Sequence, residues 1–222
     1  MKIKNKKALK IFLSILGVII IVTAIFLIRV LSLTSPTSGG AIGEYSDPKS
    51  ALLVLDMQND TTGNSSFYGD TTDFINKVNQ AIDIAKKKSM EIVYTKQELE
   101  NNPLDLLISS GKYKAGTVGV QLDSRLQVAN ENIFSKVKSD AFSSKNFENY
   151  LVSKQIDTIY IVGADATACV YKTALGGINR KYKVFVVEDS IISLNDEIIK
   201  EMLKKYSSDG IGITSLEQFD KQ

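Results

Sequence analysis

Ala51-Leu52-Leu53-Val54-Leu55 is apolar at every position. A strand that meets water on one face alternates apolar and polar residues, whereas an unbroken apolar run suits a strand covered on both faces. Candidate strands follow at residues 91–95, 132–135, 158–162 and 182–187, and residues 212–215 begin a short last one. Helical patterns lie between them. Residues 72–88 carry Phe74, Ile75, Val78, Ala81, Ile82 and Ala85 at helical spacing. Ser144 can cap a helix reaching about Lys154, residues 167–181 read as another, and Asn195 can cap one through Tyr206. Residues 97–130, with Pro103 and the Gly116-Thr117-Val118-Gly119 turn, read as irregular. This alternation predicts an α/β domain over residues 49–222, a mostly parallel sheet flanked by helices in three layers. About 170 residues suffice for one domain with a real core.

The amino-terminal segment is of another kind. Lys2, Lys4, Lys6, Lys7 and Lys10 fall in the first ten residues, and residues 11–28 are uncharged and mostly apolar. At helical rise that run spans about 27 Å, close to the hydrocarbon thickness of a bilayer. It is too long for a signal-peptide core, and no convincing small-x-small cleavage site follows directly. We read residues 1–8 as a cytoplasmic basic segment and 9–32 as an uncleaved transmembrane anchor in contact with lipid. Arg29 is expected to snorkel at its far end. Residues 33–48, rich in Ser, Thr, Gly and Pro, read as a flexible linker. The lysines keep the amino terminus in the cytoplasm, so the domain is expected outside the cell membrane on a single-pass anchor.

Charge follows the same division. Residues 1–43 hold six basic residues and no acid, leaving 21 basic against 25 acidic residues, a net −4, for the rest. The basicity of the whole chain therefore belongs to the anchor. No arginine-rich face or basic-aromatic interleaving is present, which argues against a nucleic-acid partner.

In parallel α/β sheets, sites form at the carboxyl ends of the strands. Three chemically capable residues fall there: Asp56 after the first strand, Lys136 after the third, and Cys169 just beyond the fourth. Cys169 is the only cysteine, so it can form no internal disulfide. At a strand-to-helix turn, the unpaired N–H groups of the helix favour a thiolate and can hold an oxyanion. Taken singly, each residue has an ordinary explanation: a turn-forming Asp, a solvated Lys, a small buried thiol. Their joint placement at one sheet edge favours chemistry.

Four stretches then carry a resemblance: Leu53-Val54-Leu55-Asp56-Met57-Gln58-Asn59-Asp60, Gly116-Thr117-Val118-Gly119, Lys136-Val137-Lys138-Ser139-Asp140-Ala141-Phe142, and Ile161-Val162-Gly163-Ala164-Asp165-Ala166-Thr167-Ala168-Cys169-Val170. Over most of residues 50–218 the chain resembles the isochorismatase-like cysteine hydrolase superfamily. The resemblance implies a catalytic triad of Asp56, Lys136 and Cys169. Cys169 would attack a carbonyl as thiolate, Asp56 would relay the proton, and Lys136 would hold the negative charge of the pair. It also implies an oxyanion hole from the N–H groups of Ala168 and Cys169, beside a cis peptide expected at Asp165–Ala166. Many family members carry Thr where this chain has Ala166. Asp165 places an acid near the hole, where it repels an anionic substrate, binds a cationic one or faces away. The family's nicotinamidase branch holds a zinc-like ion with Asp and two His. This chain has no histidine, so no metal and no cofactor are expected. The irregular 97–130 stretch is expected to wall the pocket, with Gln58, Phe67, Phe142 and Tyr171 at the substrate, and a homodimer is expected by resemblance only.

The leading reading is a membrane-anchored cysteine hydrolase that cleaves a C–N bond of a small amide or ureide through a thioester. The competing one is a catalytically silent member of the fold serving as a binding or scaffold module at the membrane. A redox thiol is weaker, because the chain offers no resolving cysteine.

Overall fold

The computed structural model describes residues 6–64 and 66–221. Lys2 and Lys4 of the basic segment lie outside the described residues. Six strands, β1 (Lys49–Leu55), β2 (Glu91–Gln97), β3 (Ile133–Lys136), β4 (Ile156–Ala164), β5 (Lys183–Ile192) and β6 (Gly212–Thr214), form one sheet in the order β3-β2-β1-β4-β5-β6. Every pairing is parallel. The order reverses between β1 and β4, and a crevice opens at such a switch point beyond the strand ends.

The unbroken apolar run of β1 has the expected cause. Ala51, Leu53 and Leu55 join one core, and Leu52 and Val54 join the other. The first core packs under α5 (Lys145–Ser153), α6 (Cys169–Asn179) and α7 (Asp196–Ser208) through Phe147, Leu151, Val170, Ala174 and Tyr206. The second packs under α3 (Thr72–Lys87), with Phe219 of α8 (Leu216–Lys221) beside it. All six apolar residues read as the helical stripe of α3 are buried. Asn195 caps α7 by accepting from the Ile198 N–H at 3.0 Å. Ser144 stands at the N-cap of α5, but its side chain makes no capping bond. The stretch 97–130 holds two short helical pieces, α4 (Pro103–Ile108) and a 3-10 turn at Val118–Val120; the turn Asn59–Thr62 is α2.

The amino-terminal helix α1 spans Lys6–Thr34, long and apolar enough to cross a membrane, and none of its most apolar window is buried. Two expectations near its end are corrected. The Arg29 guanidinium does not point freely outward: it grips the Asp105 carboxylate of α4 with two hydrogen bonds of 2.6 Å. The segment after it is not a free linker over its first ten residues. The Thr37 N–H and hydroxyl donate to Asp140 at 2.7 and 2.6 Å. Arg180 donates to the carbonyls of Thr37 and Ser38, and the Ile42 N–H donates to the Arg180 carbonyl. Two buried charged side chains need partners, and the segment's backbone supplies them.

Candidate active site

At the end of β1 the backbone turns sharply, with Asp56 in the left-handed region at φ 53°, which Asp tolerates better than most residues. Its N–H donates to the Thr95 carbonyl at the neighbouring strand end. β4 must approach closely here. Gly163 has φ 116°, and a Cβ on it would lie 2.2 Å from the Leu55 carbonyl oxygen, so only glycine fits. Lys136 closes β3, two strands from β1, and its long stem reaches back across the sheet edge. Cys169 is the first residue of α6, and because β4 ends at Ala164 a short turn delivers it directly to the sheet edge.

The three side chains meet. Lys136 Nζ lies 2.7 Å from Asp56 Oδ2 and 3.4 Å from Cys169 Sγ. Its remaining donor goes to the Lys138 carbonyl at 3.1 Å. The Thr95 hydroxyl donates to Asp56 Oδ1 at 3.0 Å, and the thiol points to Gln97 Oε1 at 3.6 Å. All three members are buried. Burial opposes the charge on Lys136, but Asp56 and then Cys169 outweigh it and hold the ammonium above the ordinary lysine value. Burial pushes the Cys169 thiol up to about 12; Lys136 opposes this, and Asp56 adds to it. With the thiol protonated, the carboxylate and ammonium cancel. Losing that proton to solvent would leave a buried net negative charge, whereas passing it to Asp56 keeps the cluster neutral. The arrangement therefore favours proton transfer inside the site over a free thiolate.

Above the cluster opens a cavity of about 600 Å³. Asp56, Cys169, Gln97, Tyr113, Asp165 and Phe67 help to line it. Asp165 does not face away. It stands in the wall, its Oδ1 accepting from the Thr167 N–H at 2.7 Å, and its charge adds to burial in raising the Tyr68 phenol. Burial likewise pushes Tyr113 up to about 12.

Several expected positions are corrected. The cis peptide is Ala164–Asp165, one bond earlier than expected. The 165–166 peptide sends its N–H to the Ile192 carbonyl and accepts the Ala168 and Val170 N–H groups on its carbonyl. That N–H and the Ala166 carbonyl, which accepts from the Tyr206 hydroxyl, are both engaged away from the cavity, so Ala166 contributes no donor. The Ala168 N–H is turned to Asp165, at 3.1 Å. Among the described residues, the Cys169 N–H has no acceptor and is the donor left for an oxyanion.

Gln58, Phe142 and Tyr171 do not line the cavity. Gln58 is buried and braces the wall, donating to the carbonyls of Gln97 and Val120 and accepting from the Gln97 N–H. Phe142 packs in the core against Phe147 and Tyr182, 5.2 and 5.4 Å between ring centroids. Tyr171 leans on Tyr206 and donates to Asp209 at 2.6 Å. Phe67 does line the cavity. Gln97 and Tyr113 of the 97–130 stretch line it too, whereas Ser193 and Leu194 were missed, although both follow the carboxyl end of β5, which was the available signal. Thr61 and Tyr68 come from a stretch without a period and gave none.

The parallel sheet thus gathers a carboxylate, an ammonium and a thiol at its switch point, under one cavity. The chain belongs to the isochorismatase family: residues 50–218 match the Isochorismatase domain. It is 27% identical over 128 residues to an N-carbamoylsarcosine amidase of Arthrobacter sp, covering 53% of this chain and 47% of that protein, so it matches about half of that relative's length. A cysteine hydrolase from Pseudomonas syringae pv. phaseolicola superposes with a TM-score of 0.71 at 14% identity, over 83% of this chain and 97% of the other. A pyrazinamidase of Pyrococcus horikoshii solved with zinc superposes at 0.65 with 24% identity, over 76% and 99%. These neighbours share the fold, and the family is a hydrolase family that includes amidases. The stretch around β2 does not fit a zinc site here: Thr95 bonds Asp56, Lys96 pairs with Glu98, and the chain holds no histidine.

Proposed function

We propose that the protein is a membrane-anchored hydrolase that cleaves a C–N bond of a small amide or ureide through a thioester on Cys169. The observation that carries this reading is the buried contact of Lys136 Nζ with both Asp56 Oδ2, at 2.7 Å, and Cys169 Sγ, at 3.4 Å, beneath an open cavity.

The chemistry follows from that contact. As Sγ bonds to the carbonyl carbon, its proton passes to Asp56, and Lys136 stays protonated so that the cluster remains neutral. The carbonyl oxygen gains the negative charge and faces the Cys169 N–H at the start of α6. The tetrahedral centre collapses, the C–N bond breaks, and the leaving nitrogen takes the proton from Asp56. Water then adds to the thioester and gives a proton to Asp56. The C–S bond breaks, the acid leaves, and the sulfur recovers its proton.

The carboxylate of Asp165 and Gln97 Oε1 are acceptors in the wall, suited to N–H donors or a cationic group and opposed to an anionic substrate. The test is release of ammonia or amine from a panel of neutral amides and ureides by the full chain. Turnover lost in Cys169→Ser, Asp56→Asn and Lys136→Met supports the reading. Equal turnover in Cys169→Ser, or ligand binding without turnover in the unaltered chain, refutes it and favours the silent module. The anchor itself is supported by the length and exposure of α1. Protease added to intact cells should remove the domain; protection until lysis would refute the outside placement.

A further inference from the structure

The anchor helix and the catalytic cavity meet at the same edge of the domain. The apolar run of α1 ends at Arg29, whose guanidinium is fixed to Asp105 of α4. Four residues on, about 6 Å along the helix, the Leu33 carbonyl accepts from the Ser139 N–H at 2.8 Å. Ser139 lines the catalytic cavity. Arg29 belongs at the headgroup level if α1 crosses a bilayer, since a guanidinium at the end of an apolar helix seeks the interface. The cavity wall then starts about one helical turn from the lipid surface.

Exposed apolar side chains stand in the cavity wall and on α4. Leu107, two residues after Asp105, is 68% exposed; Phe67 and Leu194, both in the cavity wall, are 69% and 65% exposed. Lys112 holds its ammonium 3.7 Å from the centre of the Phe67 ring, so a cation sits beside the apolar rim. Apolar and aromatic side chains flanked by basic ones are the composition of a surface that settles into the headgroup region.

We infer that this rim is a membrane-contacting surface: α1 holds the domain with Phe67, Leu107 and Leu194 against the bilayer, and the catalytic cavity opens toward the lipid headgroups. The occupant of the surface is the leaflet in which the anchor itself ends. The inference rests on the anchored reading of the preceding section.

The chain has no tryptophan, so single tryptophans report without background. The full chain would be reconstituted in vesicles of equal parts phosphatidylcholine and phosphatidylglycerol, with bromine placed at several depths on the acyl chains. Phe67→Trp, Leu107→Trp and Leu194→Trp replace exposed side chains, so at least one is expected to fold normally. Lys87→Trp, at the end of α3, serves as the reference and Ile20→Trp as the monitor of insertion. The expected result is deep quenching at position 20 and quenching by shallow bromines at 67, 107 and 194 about threefold above position 87, as for interfacial side chains. Deep quenching at position 20 with the three rim positions equal to 87 overturns this inference and leaves the anchor standing. No quenching at position 20 overturns the anchor and this inference together.

Discussion

Replacing Lys136 by Met tests whether the buried pair is as tightly coupled as its geometry requires. The lysine side chain is fully buried, the Asp56 side chain is 4% exposed, and the two lie 2.7 Å apart. Removing one partner leaves the other without its counter-charge, which costs about 3–5 kcal/mol. For a domain of this size each kcal/mol shifts Tm by about 2–4 °C, so Lys136→Met should lower Tm by roughly 6–20 °C. Asp56→Asn should cost a comparable amount, since it strands the ammonium. The double variant removes both charges and should lose much less than the sum, giving a coupling energy of at least about 2 kcal/mol. Urea unfolding of the full chain in mild detergent, followed by circular dichroism, measures all four corners of the cycle. Additivity within about 0.5 kcal/mol would refute the coupling.

Other consequences can be checked in parallel. Cys169→Ser should lower amide hydrolysis by at least about 10³-fold with little change in Tm, measured by turnover and thermal unfolding. Gly163→Ala should cost more than about 2 kcal/mol and depress turnover, because the new Cβ meets the Leu55 carbonyl just before Asp56; unfolding and activity assays read both effects. Asp123 is held down at about 2, chiefly by its hydrogen bonds to Arg125, with burial opposing. Its folded value is the lower one, so its stabilisation is present above about pH 4 and is lost as pH falls toward 2. Arg125 is 40% exposed, which limits the contribution to about 1 kcal/mol. Asp123→Asn should flatten that acid limb in unfolding measured against pH.

The sheet was legible because its signals are local and redundant. β1 is apolar throughout, α3 carries an unbroken helical stripe, and Asn195 sits where a cap is needed. The catalytic candidates were legible because strand ends are countable: Asp56 follows β1, Lys136 closes β3 and Cys169 comes shortly after β4, and parallel topology brings such ends together. What failed depended on direction rather than position. Tyr171 and Phe142 lie near the site in sequence, but α6 and the core turn their rings inward. Gln58 follows Asp56 by two residues, yet its amide meets backbone groups of Gln97 and Val120. The cis peptide was placed one bond late, because composition does not reveal the isomer of a particular peptide bond. Residues 34–42 read as a linker by composition, and only the buried Asp140 and Arg180, distant in sequence, show why they lie along the domain.

The central claim is that Asp56 takes the proton of Cys169 within the site. The rate of iodoacetamide alkylation at Cys169, followed against pH in the full chain, measures this without a known substrate, and the single cysteine makes the signal unambiguous. An ordinary thiol with pKa of about 8.5 would react roughly 50-fold faster at pH 8.5 than at pH 6.5. Internal transfer makes the thiolate fraction independent of pH, so the expected profile is flat over that range. In Asp56→Asn the proton can go only to solvent, and the rate should climb with pH. A steep profile near 8.5 in the unaltered chain, unchanged by Asp56→Asn, would contradict the claim.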